Sequence, residues 1–171
     1  MKWPRLLFIV SIIVFAVVAR LIPHPFNFTP IGAAALFAGA MLERKRFAFL
    51  IPLAALLLSD AILGFYSGML VVYGCFAAIV CIGFALRGRT RSPLALLAGA
   101  ASAATLFFIV TNFAVWMEGT LYPLTLTGLV TCYVAAIPFY ANQLGGDAVY
   151  AAVLFGGLAF AEHRFPKLAA V

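Results

Sequence analysis

Four clusters of positive charge divide an otherwise apolar chain. They hold all but one of its eleven Lys and Arg residues. The clusters are Lys2/Arg5, Arg44/Lys45/Arg46, Arg87/Arg89/Arg91 and Arg164/Lys167. Short loops rich in Lys and Arg stay on the cytoplasmic side of a membrane, and the stretches between the clusters are long enough to form membrane hairpins. The pattern therefore predicts an even number of membrane crossings, with both termini in the cytoplasm.

The composition is that of an integral membrane protein. Hydrophobic residues make up 66% of the chain and charged residues 9%, and the mean hydropathy is +1.15. One small core could not hide so much apolar surface from water, which excludes a soluble domain. The net charge of +6 lies at predicted helix ends, where anionic lipid headgroups account for it. The lipid bilayer is therefore a predicted partner, and nucleic acid is not.

We predict an all-α membrane protein, with residues 1–171 as a single membrane domain of six transmembrane helices. The predicted spans are 6–22, 30–42, 47–63, 70–86, 93–116 and 146–161. Residues 124–140 are predicted to form a short extra helix, re-entrant or capping, at the outer face. Two full spans in the last part of the chain would carry its final basic cluster outside, against the orientation rule. The basic, apolar N-terminus lacks a small-residue cleavage site, so it is assigned to the first helix rather than to a signal peptide.

The polar residues of the membrane region fall on one side of this topology. Those assigned to the outer half or outer loops are Arg20, His24, Asn27, Asp60, Asn112, Glu118, Asn142, Gln143 and Asp147. Ionisable groups at membrane depth are costly and face a bundle interior or a cavity. The clustering predicts a cavity that opens outward. The alternative is that Arg20 pairs with Asp60 or Asp147 in a purely structural contact.

Several further residues are candidates for lining that cavity. His24 lies between two prolines, which hold an imidazole in a fixed position, although a lone loop histidine is often plain surface. Asn112 and Trp116 share a helical face, and Trp116 also suits an interfacial aromatic belt. Tyr73 and Tyr133 complete the aromatic candidates.

Of the three cysteines, only Cys75 is predicted to lie near the outer opening, close in depth to Asp60. A thiol there could bind a ligand, or it could pack as a small hydrophobe; Cys81 and Cys132 are assigned to packing. No CxxC spacing indicates zinc or a disulfide framework. The chain also lacks the GxSxG, HExxH and phosphate-binding glycine motifs. It is therefore not predicted to be an enzyme.

Several segments resemble the substrate-binding S components of energy-coupling-factor vitamin transporters, and a related bacterial family of uncharacterised membrane proteins. They are Arg-Leu-Ile-Pro at 20–23, Asn-Phe-Thr-Pro-Ile-Gly-Ala-Ala-Ala-Leu-Phe-Ala-Gly-Ala at 27–40, Leu-Leu-Leu-Ser-Asp-Ala-Ile-Leu-Gly at 56–64, Thr-Asn-Phe-Ala-Val-Trp at 111–116, Leu-Tyr-Pro-Leu-Thr-Leu-Thr-Gly-Leu at 121–129 and Cys-Tyr-Val-Ala-Ala-Ile-Pro-Phe-Tyr at 132–140. The similarity spans residues 20–157. The solitary cobalamin-transporting S components are the nearest functional match within this group.

The resemblance implies a carrier that binds cobalamin (vitamin B12) and takes it up across the bacterial inner membrane. By this resemblance Cys75 is the ligand of the cobalt, a role that suits a soft thiolate, and could assist removal of cyanide from cyanocobalamin. The resemblance makes His24 and Asp60 neighbouring pocket groups. With the residues selected from their position, the predicted ligand-binding residues are His24, Asn27, Asp60, Tyr73, Cys75, Asn112, Trp116 and Tyr133. Two alternatives stay open: the same fold with a smaller vitamin, nucleobase or modified base as ligand, and a membrane scaffold without a ligand.

The first helix departs from the S-component pattern. S components that share an energising module usually carry an Ala-x-x-x-Ala docking motif there, but Ser11, Ala16 and Ala19 lack that spacing. Ala34 and Ala38 in the second helix have it, although small residues four apart are ordinary helix packing. The departure puts docking to an energising module in doubt and fits a solitary carrier better.

Overall fold

The computed structural model describes the backbone of residues 3–164 and the side chains of residues 10–164. Within that range the chain is all-helical, with six helices. They are α1 Trp3–Leu21, α2 Ile31–Met41, α3 Lys45–Leu63, α4 Met69–Ala85, α5 Pro93–Met117 and α6 Leu126–Arg164. Three of them, α3, α5 and α6, are long and apolar enough to cross a membrane. The predicted basic residues Lys2 and Lys167, and the side chain of Arg5, lie outside the described residues.

The predicted all-helical fold is confirmed, but the end of the chain differs from the prediction. Residues 126–164 form one helix of 39 residues, not an outer-face helix over 124–140 followed by a span over 146–161. Pro138 breaks only one backbone hydrogen bond, and a membrane helix tolerates such a loss. Gly146 lets α6 approach Phe28, since a Cβ there would lie 3.1 Å from the Phe28 Cα atom. Gly146 therefore serves helix packing rather than a turn.

Helix α2 forms the centre of the bundle. Nine of its eleven residues are buried, and it contacts all five other helices. Its closest approach is to α4, where a Cβ on Gly39 would lie 2.2 Å from the Val80 carbonyl oxygen and one on Gly83 2.4 Å from the Leu36 oxygen. Small residues allow such close helix packing in membranes. The small residues of α2 therefore serve its packing against α4.

At both ends of α2, backbone groups form hydrogen bonds with charged side chains from other parts of the chain. At its C-terminal end, Arg87 donates from Nε to the Gly39 carbonyl at 3.0 Å and from Nη2 to the Leu42 carbonyl at 2.6 Å. At its N-terminal end, the Asp147 carboxylate of α6 accepts from the backbone N–H of Ala33. A helix leaves its first N–H groups and last carbonyls unpaired, and its dipole favours an anion at the N-terminus and a cation at the C-terminus. The short α2 is thus anchored at both ends.

Helices α5 and α6 run antiparallel and form a wall of the bundle. The Tyr133 hydroxyl donates to the Ile109 carbonyl at 2.7 Å, and the hydroxyls of Thr105 and Tyr140 lie 2.9 Å apart. Within the described chain, the backbone of α6 packs closely only against α2 and α5. A space is left open between this wall and the halves of α1, α3 and α4 that lie away from the basic loops 42–44 and 86–92.

Candidate ligand-binding cavity

That space is a cavity of about 700 Å³. It receives side chains from all six helices and from two loops. The lining residues are Arg20, Phe26, Asn27, Thr29, Ile31, Leu56, Tyr66, Val72, Phe76, Phe107 and Gln143. The cavity lies toward the end of the bundle opposite the basic loops 42–44 and 86–92. This placement agrees with the predicted one-sided grouping of polar residues, and the volume is in the range of small-molecule pockets, about 300–1,000 Å³.

The deeper wall of the cavity is aromatic and aliphatic. Phe76 of α4 and Phe107 of α5 lie with ring centroids 5.2 Å apart and planes at 45°. Leu56 and Ile31 are 1% exposed and close the wall from α3 and α2. Such a surface takes up a flat apolar or aromatic group, because stacking adds to the gain from burial.

One edge of the cavity is an ion pair with a supporting phenol. Arg20 donates from Nη1 to Asp60 Oδ1 at 2.5 Å and also to the Ser59 hydroxyl. Tyr73 donates its hydroxyl to Asp60 Oδ2 at 3.0 Å. Arg20 thus pairs with an acid, as the structural alternative supposed. Arg20 is the one charged residue of the described lining, and Asp60, beside the lining, balances its charge.

Two loops complete the polar rim. Asn27 adopts a φ of +63°, a left-handed conformation that asparagine tolerates better than most residues. This turn places Phe26 and Asn27 in the lining. From the 64–68 loop, Tyr66 approaches Arg20; desolvation, with the charge of Asp60 adding to it, raises the pKa of Tyr66. Its phenol therefore stays neutral and can donate a hydrogen bond.

On α6, Gln143 lines the cavity and Asp147 lies behind it, one helical turn further along. They are 5% and 1% exposed, and the two side chains are hydrogen-bonded. Gly32 of α2 gives the carboxylate its space, because a Cβ there would lie 2.2 Å from Asp147 Oδ1. Asp147 Oδ2 has no hydrogen-bond partner among the described residues. A buried carboxylate oxygen in this state is unusual and costly.

The structure gathers only part of the predicted site around the cavity. Asn27 lines it, and Asp60 and Tyr73 form the network that holds Arg20. His24 lies at the C-terminal end of α1, with Nε2 3.1 Å from the Arg20 carbonyl oxygen and Nδ1 2.8 Å from that of Pro25. It positions the chain at this turn but does not line the cavity.

Three predicted residues belong instead to the contact between α5 and the end of the chain. Asn112 donates to the Phe108 carbonyl of its own helix at 2.8 Å. Trp116 donates its indole N–H to the Pro123 carbonyl at 3.0 Å. Tyr133, as noted, bonds the backbone of α5. None of the three lines the cavity.

Cys75 is buried, with 3% of its surface exposed, and is not among the described lining residues, although Val72 and Phe76 on the same helix are. Cys132 is 2% exposed and packs against α5, while Cys81 is exposed. The described residues contain no group of three or more His, Cys, Asp or Glu side chains that could hold a metal ion.

Sequence reasoning named Gln143 as an outer polar residue but did not select it for the site, and it missed the lining aromatics. Gln143 carries a usable signal: an amide in a long apolar helix, four residues before an acid, shares that acid's face. Phe26, Tyr66, Phe76 and Phe107 carry none, since the chain has 17 phenylalanines and six tyrosines and most of them face lipid or the core.

The comparisons with known proteins give a family without a function. A profile described as a family of unknown function, DUF6580, matches residues 1–168. No curated protein and no solved structure matches the chain. The chain therefore belongs to the DUF6580 family.

Proposed function

We propose that this DUF6580 member binds a neutral, planar heteroaromatic molecule of vitamin or nucleobase size in the cavity and carries it across the bacterial inner membrane. The observation that supports this most directly is the cavity of about 700 Å³, with an aromatic wall and a polar rim whose single charge is paired. The proposal adopts the smaller-ligand alternative of the resemblance to S components.

The charge state of the lining argues for a neutral ligand. A carboxylate or phosphate would need a free cation, but Arg20 is held by Asp60 at 2.5 Å and by Ser59. Displacing Asp60 would leave a carboxylate that is 1% exposed without its counter-ion, which costs several kcal/mol. A neutral ligand avoids this penalty.

The remaining polar groups suit the edge of a heterocycle. Asn27, Thr29 and Gln143 each offer both a donor and an acceptor, and Tyr66 offers a phenol. Amide side chains read the alternating N–H and carbonyl pattern of such rings, while Phe76 and Phe107 stack on their faces.

For the membrane, we propose the six-crossing arrangement with both termini in the cytoplasm. A single helix over Leu126–Arg164 gives six helices in the described chain, so the parity stays even when each of them crosses once. The basic loops 42–44 and 86–92 then lie inside, and the cavity opens outside, where a ligand for uptake arrives.

Two features that the resemblance implies fit the structure less well. Cobalt ligation requires the Cys75 thiol to reach the ligand, and Cys75 does not line the cavity. Docking of an energising module through Ala34 and Ala38 would need them accessible, but they are 1% and 0% exposed. Cobalamin binding and module docking therefore remain predictions from the resemblance, and the geometry favours a smaller ligand and a solitary carrier.

The test is equilibrium binding to purified protein in lipid nanodiscs. Riboflavin, nicotinamide, adenine and thymine represent the proposed class, and cyanocobalamin the larger alternative. We expect at least one heteroaromatic compound to bind. Phe76→Ala and Gln143→Leu should each weaken that binding about tenfold, the equivalent of about 1.4 kcal/mol.

The cysteines provide the control. Cys75→Ser should leave heteroaromatic binding unchanged, as should Cys81→Ser on the exposed side of the same helix. Co-elution of cyanocobalamin, with an absorption spectrum that reverts in Cys75→Ser but not in Cys81→Ser, would overturn the smaller-ligand proposal in favour of cobalt ligation. Absence of binding by every compound would favour the scaffold alternative.

A further inference from the structure

Asp147 carries an acceptor that the described fold does not use. Its carboxylate is 1% exposed and bonds the Ala33 backbone and Gln143, yet Oδ2 has no hydrogen-bond partner among the described residues. An ionisable group at membrane depth that is neither paired nor fully bonded is a mark of function rather than of stability.

Among the described residues, no cation is bonded to Asp147. Helices α2 and α5 pack closest against α6, and neither Ile31–Met41 nor Pro93–Met117 contains a titratable residue. Helix α1 and the 22–30 loop also reach α6, through Phe15 and Phe28 against the Tyr150 ring. From these two elements the described titratable groups are Arg20 and His24, and His24 bonds the carbonyl oxygens of Arg20 and Pro25. On α6 itself the nearest titratable groups are the phenols of Tyr140 and Tyr150. The nearest cation in the cavity lining is Arg20, which is committed to Asp60.

We propose that Asp147 is a proton-binding site that couples to occupancy of the cavity through Gln143. This inference rests on the proposed function, since the cavity is the site that it would control. A proton needs only one free lone pair, which Oδ2 offers. A sodium ion would need several oxygen ligands, whereas the other groups bonded to this carboxylate include a backbone N–H, which is a donor.

Gln143 can relay the protonation state of Asp147 because its side chain bonds Asp147 and also lines the cavity. When Asp147 is ionised, the Gln143 amide donates its N–H to the carboxylate and presents its carbonyl oxygen to the cavity. When a proton from the external solution binds Oδ2, the new O–H can donate to the Gln143 carbonyl. The amide then rotates and presents its N–H₂ group to the cavity. Protonation thus changes an acceptor into a donor at the binding surface.

The direct test uses protons alone and requires no ligand. Infrared spectra of the protein in nanodiscs are recorded from about pH 5 to 9, a range that buried carboxyls reach, and the carbonyl stretch of protonated carboxylic acids is followed. We expect one band that titrates in this range, disappears in Asp147→Asn and persists in Asp60→Asn. Gln143→Leu should keep the band and move its midpoint.

Three results would overturn the proton site. They are a band that survives in Asp147→Asn, a wild-type protein without any carboxylic acid band across the range, and a band that never titrates. Should Asp147→Asn fail to fold, isotope-edited spectra of wild type and Gln143→Leu, labelled at aspartate, still decide the assignment.

The coupling is tested separately with a compound that binds in the nanodisc assay. Its affinity should change about tenfold between the two ends of the titration in wild type, and should be independent of pH in Gln143→Leu. A titrating carboxyl with no binding compound would sink the proposed function and leave the proton site standing. Binding that is equally pH-dependent in Gln143→Leu would overturn the relay.

Discussion

Two aspartates, Asp60 and Asp147, are equally buried at 1% exposure but differ in what surrounds them. Asp60 has a cation at 2.5 Å and a phenol at 3.0 Å, supplied by α1 and α4. Asp147 has a helix N-terminus, an amide and an oxygen without a partner among the described residues. The first holds three helices together around the cavity. Asp147 keeps a hydrogen-bond acceptor that no described residue uses. Burial alone therefore does not reveal the role of a carboxylate.

The largest effect is expected where the ion pair is broken. Asp60→Ala should lower the free energy of unfolding by about 3 kcal/mol, because Arg20, whose side chain is 16% exposed, loses its counter-ion. Denaturation with sodium dodecyl sulfate in mixed micelles, followed by circular dichroism, measures it. The double variant Arg20→Ala/Asp60→Ala should lose less than the sum of the single variants. Strict additivity would contradict a functional ion pair.

The second largest loss of stability is expected where Gly32 of α2 packs against Asp147. In Gly32→Ala the new methyl group would lie 2.2 Å from Asp147 Oδ1, so the carboxylate must shift from its place against α2, at a cost of about 2 kcal/mol. Gly74→Ala in α4 is the matched control, because a Cβ there meets no atom within 4 Å. Equal stability of the two alanine variants in the same assay would mean that α6 does not press on Gly32.

The sequence predicts the depth of these two aspartates in the membrane but not their partners. Their depth, and the grouping of polar residues on one side, follow from the spacing of the basic clusters. Their partners do not, because a pairing such as Arg20 with Asp60 depends on how each helix is rotated about its axis. A rotation of one third of a turn would exchange Cys75 for a neighbour, and no apolar pattern fixes that rotation when both lipid and core are apolar.

The last helix was predicted as two for a different reason, which concerns the solvent around its backbone. In water, Pro138 and the glycines at 145–146 would favour a break, and the prediction divided the segment accordingly. In a bilayer an exposed backbone has no water to bond, so the helix is maintained across such residues. Gly145 and Gly146 serve instead the approach of Phe28, which only the assembled bundle reveals.

A smaller effect is expected for two half-buried phenols, and it should separate their roles. Tyr73→Phe removes the 3.0 Å bond to Asp60 and should cost about 1 kcal/mol. Tyr133→Phe removes a 2.7 Å bond to the Ile109 carbonyl and should cost a similar amount in the same denaturation assay. Only Tyr73→Phe should also weaken binding of a heteroaromatic compound, because its partner orients Arg20 in the lining. Equal effects on binding would contradict the assignment of the cavity.

The smallest change is expected where the charge is unpaired. Asp147→Asn keeps an acceptor for the Ala33 N–H and breaks no ion pair, so it should alter the free energy of unfolding by less than about 1 kcal/mol, the scale of a charge at a helix end. Asp60→Asn, an identical chemical change, should cost clearly more in the same micelles. If Asp147→Asn proved as damaging as Asp60→Asn, a counter-charge beyond residues 3–164 would have to be sought.

The anchored ends of α2 bear on the order in which the chain can enter its membrane. Eleven residues rise about 16 Å, well short of the roughly 30 Å hydrocarbon layer, so α2 cannot be released into lipid as an independent segment by the insertion machinery. Its C-terminal anchor, Arg87, is translated only after α4, and its N-terminal anchor, Asp147, only after α5. We therefore expect α2 to reach its final depth after the first half of α6 has been made, and chains truncated before Asp147 to be recognised by quality-control proteases.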